Sequence, residues 1–144
     1  MTVSMKNTND NSSSRDLKLP ARFERRFSVH LYWVSHGLLL LRSGKSEIDA
    51  TRVDILFQDV TWMALPAWFN GLEITSTSEV GLPFQLPASI QIEVHLRRVY
   101  RLATEGIDHL VVASNRVSIS EDEGNYFDAS LLIPGLQVTQ AFPN

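Results

Sequence analysis

The chain has 144 residues, 44% hydrophobic and 20% charged, with a net charge of −3 and no cysteine. This is the size and composition of one globular domain with a real core. The absent basic surplus argues against nucleic acid as a partner, and the absent thiols exclude disulfides, thiolate zinc sites and cysteine nucleophiles.

Residues 1–19 are rich in Ser, Asn, Thr and Asp and poor in large apolar side chains. Such a segment cannot offset its ordering entropy, so a disordered N-terminal tail is expected there, with a single β-rich domain over 20–144. No signal-length apolar core lies in the tail, and no apolar run approaches the ~20 residues that cross a bilayer. A cytoplasmic protein with no membrane association follows as the expectation.

In "FSVHLYWVSHGLLLLRS", residues 27–43, apolar side chains alternate, break at Ser35-His36-Gly37 and resume. Alternation predicts strand, and the break predicts a three-residue hairpin loop with Gly37 left-handed. Pairing Val34 with Leu38 places His30 opposite Arg42. Both faces of the hairpin are largely apolar, which predicts a central, doubly covered position. "RVDILF", residues 52–57, reads as the next strand, and Gln58-Asp59 as a bend.

Residues 60–74, "VTWMALPAWFNGLEI", gather Trp62, Met63, Leu65, Trp68 and Phe69 around a proline. That is too much apolar area for an ordinary exposed loop. The segment either plugs one end of the fold or docks another chain, with Trp62 inside and Trp68 at the rim. Asn70-Gly71 reads as a turn.

Residues 89–120 alternate again: Ile90, Ile92, Val94 and Leu96, then Val99, and after Glu105-Gly106 the run Leu110-Val111-Val112. Thr104 facing Ile107 pairs Val99 with Val112, Val94 with Val117 and Ile92 with Ile119. Another short strand is expected over 126–133. The sum is about seven strands in an antiparallel β-sandwich or barrel. The alternative is an α+β fold with residues 89–103 helical against a β-meander.

Candidate chemistry is sparse. Gly44-Lys45-Ser46 follows a strand, but Leu39 stands where a phosphate loop needs its first glycine. His30, His36, His95 and His109 lack metal-ligand spacing, so no metal and no cofactor is expected. His30, Tyr32, Arg42 and Asp54 form a polar cluster suited either to satisfying buried charge or to acid–base work. Arg97, Arg98 and Arg101 add charge that suits an acidic partner. The aromatic segment and the arginines are the ordinary ingredients of protein interfaces. The expected function is therefore a non-catalytic protein-binding domain, with another protein or a second copy of itself as partner. A small-molecule-binding barrel and a small enzyme using His30 and Asp54 are the alternatives.

Overall fold

Strands form where apolar residues recur every second position, and the connections fall where Gly, Pro, Asp and Ser interrupt that rhythm. The structure, a computed structural model, describes residues 13–77, 86–93 and 96–133. Its strands are β1 (Ser13–Asp16), β2 (Ala21–Trp33), β3 (Leu38–Ser43), β4 (Arg52–Phe57), β5 (Trp62–Ala64), β6 (Trp68–Thr77), β7 (Arg98–Thr104), β8 (Ile107–Ala113) and β9 (Val117–Asp122). One short helix, α1 (Ala88–Glu93), precedes β7. The fold is mainly β and antiparallel, as expected. The described residues form one open sheet of nine strands rather than about seven, in the order β1-β9-β4-β3-β2-β6-β7-β8-β5.

The sheet is strongly rolled. β8 and β9 stand six places apart in that order, yet residues 114–116 join them. A flat sheet would separate them by about 29 Å at ~4.8 Å per strand, beyond the ~14 Å that so short a link can reach. Rolling brings the Phe57 ring of β4 to 5.5 Å from the Tyr100 ring of β7. It also lets Ser114 N–H donate to the Gln58 carbonyl, and Tyr100 O–H to the Ser114 carbonyl.

The concave side holds the main core. Phe27, Leu39, Leu41, Ile55, Phe57, Phe69, Ile74 and Leu102 are fully buried there. Each such side chain contributes about 1.5–3 kcal/mol through burial. The convex side carries two smaller apolar clusters. Leu86, Val99, Leu110 and Val112 pack with Ile90 of α1 and with Trp62, while Leu40, Leu56 and Ile133 pack with Leu31, Leu38 and Leu132.

Several expectations need correction. The ordered chain reaches back to Ser13, because Ser13–Asp16 pairs with Glu121–Ser118 of β9; residues 1–12 lie outside the described residues. The first hairpin turns through a 3-10 element, Val34–His36, closed by Gly37 at φ +61°. This loop is one residue longer than predicted, so Trp33, not Val34, faces Leu38. A β-bulge then shifts the register between Val29 and Leu31, with His30 as the extra residue. The slip and the bulge together turn Tyr32 toward the main core and Leu31 to the convex side.

Asn70-Gly71 is no turn. It lies inside β6, where Gly71 takes φ +76° beside a bulge in the β2–β6 ladder. Residues 88–93 are helical rather than extended. The physical reason is the absence of a partner: β7 and β8 pair from Thr104 and Ile107 out to Arg98 and Ala113, after which the chain leaves for β9. Val117 and Ile119 pair instead with Phe57 and Ile55. Val94 lies outside the described residues. Residues 123–133 form turns, not a strand, because their carbonyls are engaged by arginines as described below.

Candidate functional site

Polar side chains concentrate on the convex face of β3, β4 and β9. Arg42 and Asp54 are cross-strand partners, and both are 1% exposed. The guanidinium forks onto the carboxylate, with Nε donating to Oδ1 at 2.7 Å and Nη2 to Oδ2 at 2.9 Å. Two residues along β4, on the same face, Arg52 and Asp122 repeat the arrangement across the β4–β9 ladder, at 2.9 Å and 2.8 Å. The remaining arginine donors reach the loop after β9. Arg42 Nη1 donates to the carbonyls of Tyr126 and Asp128, and Arg52 donates to those of Asn125, Asp128 and Ala129. Both charges are thus paired and both forks are used, which is what burial of a guanidinium demands.

His30 joins this network because the bulge puts it on the convex face. Its Nε2 lies 3.1 Å from Arg42 Nη1. Arginine only donates, so Nε2 is the acceptor, sharing one of the two Nη1 protons with the loop carbonyls, and the imidazole proton sits on Nδ1. Burial lowers the His30 pKa to about 4, with help from the Arg42 and Arg52 charges and opposition from Asp54. The imidazole also meets the Tyr126 ring edge-on at 5.1 Å. His30 makes no hydrogen bond to Asp54, whose two oxygens accept from Arg42. Of the predicted cluster, His30, Arg42 and Asp54 come together, and Tyr32 leaves for the core.

Beside this network opens a cleft of about 580 Å³ between Trp68 and Tyr126, with Arg25, Arg26, Lys45 and Ile48 among its lining. Tyr126 is fixed by a 2.7 Å hydrogen bond between its hydroxyl and Ser28 Oγ, and its ring lies on Gly44, where an added Cβ would stand 2.9 Å from the ring. Arg25 is a structural group, donating to Ser43 Oγ and to the carbonyls of Ser43, Gly44 and Thr51. Arg26 differs. Its guanidinium lies 4.7 Å over the Trp68 ring, and it has no hydrogen-bond or ion-pair partner among the described residues.

The aromatic segment is divided by the rolled sheet. Phe69 is fully buried, Met63 and Leu65 pack against the main core, and Trp62 packs on the convex cluster under α1. Trp68 remains 56% exposed at the cleft rim. The predicted basic group is not one patch: Arg97 pairs with Asp59 at 3.0 Å and Arg101 with Asp108 at 3.4 Å, while Arg98 is exposed at the start of β7. Lys45 of the Gly-Lys-Ser stretch donates to the Glu123 carbonyl. No cluster of three or more His, Asp or Glu suited to a metal occurs among the described residues, and none of their helices is long and apolar enough to cross a membrane.

Sequence reasoning missed the roles of Arg52, Asp122 and Tyr126. For Arg52 a signal existed: it stands two positions from Asp54, on the same face of an otherwise apolar strand, with an acidic strand available to pair. Tyr126 had none, because a loop residue's neighbours depend on where the chain returns. Comparison of the chain with protein-family models, with curated proteins and with solved structures gives no match.

Proposed function

We propose that this chain is a non-catalytic, cytoplasmic binding domain whose partner is another protein and whose contact surface is the Trp68–Tyr126 cleft. One observation carries this reading: an exposed tryptophan bearing an unpaired arginine on its ring. Tryptophan, tyrosine and arginine are enriched among the few residues that carry most of the binding energy at protein interfaces, and the two aromatics bury large areas with few torsions to freeze. Ile48 at the rim is 90% exposed and Phe127, edge-on to Tyr126, is 61% exposed, which extends the apolar area. His30 and Asp54 are by contrast occupied with holding the fold, which supports binding over acid–base chemistry.

The test is affinity capture with quantitative mass spectrometry, using the full chain and its Trp68→Ala variant side by side. Proteins retained by the wild type should fall at least about tenfold on the variant, with melting temperature unchanged. A retained set indifferent to Trp68 overturns the reading. Sedimentation of the same two proteins identifies a second copy as the partner if a wild-type dimer dissociates in the variant. The cleft volume, about 580 Å³, also falls within the range of small-molecule sites. A metabolite found by native mass spectrometry and lost with Trp68→Ala would favour that second reading.

A further inference from the structure

One wall of the cleft is the β3–β4 connection, through Gly44, Lys45, Ser46, Ile48 and Asp49. Ile48 is more exposed than any other large apolar side chain among the described residues. The turn that carries it is braced. Ser46 N–H donates to the Asp49 carbonyl at 2.8 Å, and Ser46 Oγ accepts from the N–H groups of Ile48 at 3.3 Å and Asp49 at 3.1 Å. Asp49 is tied back to Arg25 at 3.8 Å. A lone exposed isoleucine is ordinary. One fixed on a braced turn is different, because little conformational freedom remains to be lost when it is buried.

The chain thus carries an apolar knob beside a hollow, and their charges match. In the cleft, Asp49 occupies Arg25 and Asp54 occupies Arg42, which leaves Arg26 and Lys45 against Glu24. These three make no ion pair among the described residues, so one positive charge is left over. On the knob, Glu47 adjoins Ile48, is exposed and has no hydrogen bond or ion pair among the described residues. A free carboxylate next to an apolar side chain complements a free guanidinium next to Trp68 and Tyr126.

We infer that the partner is a second copy of this chain, paired about a two-fold axis so that Ile48 of each copy enters the cleft of the other and Glu47 of each meets Arg26 of the other. Because Ile48 stands on the rim of its own cleft, an axis through that rim makes both insertions at once, as an isologous contact requires. The inference rests on the binding reading above and names its partner. Exposed ion pairs set the register of the two copies more than they add affinity, while Ile48 against Trp68 and Tyr126 supplies the buried apolar area.

The test is sedimentation velocity of the full chain at rising concentrations, up to millimolar. The wild type should pass from monomer to dimer. Ile48→Ser, Glu47→Arg and Arg26→Glu should each raise the dimer dissociation constant at least about tenfold. Mixing Glu47→Arg with Arg26→Glu should restore the dimer, since each knob then meets a cleft of opposite charge, whereas each variant alone opposes like charges. All three positions are exposed, and circular dichroism melting confirms that the variants fold. A wild type monomeric throughout, a dimer indifferent to Ile48→Ser, or a mixture no stronger than its components overturns the inference. With capture of other proteins still dependent on Trp68, any of these leaves the binding reading intact. Capture and sedimentation both indifferent to Trp68→Ala remove that reading itself.

Discussion

The concave and convex sides of the rolled sheet are stabilised by different physics. The concave side is a dry apolar core whose aromatic and aliphatic side chains interdigitate. The convex side of β3, β4 and β9 buries two arginine–aspartate pairs beneath a turn-rich loop. An apolar core fails gradually, since each residue contributes by area and neighbours relax into part of any void. A buried ion pair fails abruptly, because removing one partner leaves a charge with nowhere to go. Residue for residue, the convex pairs therefore fix conformation more than they add stability. They bind the loop 125–129 to the sheet through five carbonyl contacts that no apolar residue could replace.

The largest expected effect tests that contrast. Asp54→Ala leaves Arg42 buried and unpaired and should cost about 3–5 kcal/mol in urea unfolding. Phe57→Ala, deep in the concave core, should cost a similar ~3–5 kcal/mol. The two part company in a second step. Arg42→Leu combined with Asp54→Leu should recover much of the loss from Asp54→Ala, as apolar replacement of a buried pair does. The same double variant should free the loop, seen as faster amide exchange and proteolysis at residues 125–129 with β3 and β4 still protected. A double variant as unstable as Asp54→Ala would show that the pair is a net stabiliser. A loop that stays protected would show that Arg52 alone holds it.

A medium effect concerns His30. Its pKa falls from 6.5 to about 4 in the fold, so the unfolded chain takes up a proton that the folded chain refuses over this interval. The stability this contributes is fully present above pH 6.5 and is lost as the pH drops through about 4. Because the ring is half buried, solvent screening reduces the contribution to roughly 1–2 kcal/mol. His30→Gln keeps an acceptor for Arg42 and cannot titrate. The difference in unfolding free energy between the two proteins should then shift in favour of the variant by that amount between pH 6.5 and pH 4. A difference independent of pH would mean that His30 is solvated.

The same division governs what the sequence reveals. Apolar patterning marked β2, β3, β4, β7 and β8. Strands β2 and β4 alternate where one set of side chains enters the concave core, whereas Leu38–Leu41 of β3 and Leu110–Val112 of β8 are continuous runs because both of their faces are covered. The pairing of Thr104 with Ile107 and of Val99 with Val112 was legible because Glu105 and Gly106, both with positive φ, fix the turn. The strand expected over 90–97 was not, since a period-two run says nothing about whether a neighbour exists to pair with it. Trp68 at a rim was readable from an excess of apolar side chains. The longer loop and the bulge at His30 were not, and together they decide that Tyr32 leaves the polar cluster while His30 keeps its place beside Arg42. Local pattern specifies elements, whereas the convex network depends on register and on the return of a distant loop.

The smallest effect sharpens the comparison at one atom. Ser120 sits opposite Asp54 in the β4–β9 ladder and is fully buried, and its Oγ has no hydrogen-bond partner among the described residues. Both oxygens of Asp54 accept from Arg42, and neither takes a hydrogen bond from the Ser120 hydroxyl. An unpaired buried hydroxyl costs about 1–3 kcal/mol in desolvation, which removal of the oxygen gives back, while the small void left by Ala costs a few tenths. Ser120→Ala should therefore be neutral or stabilise by up to ~1 kcal/mol in urea unfolding. If the variant instead loses more than about 1 kcal/mol, the hydroxyl is engaged through a buried water, and the convex network extends one residue further along β9 than its direct hydrogen bonds reach.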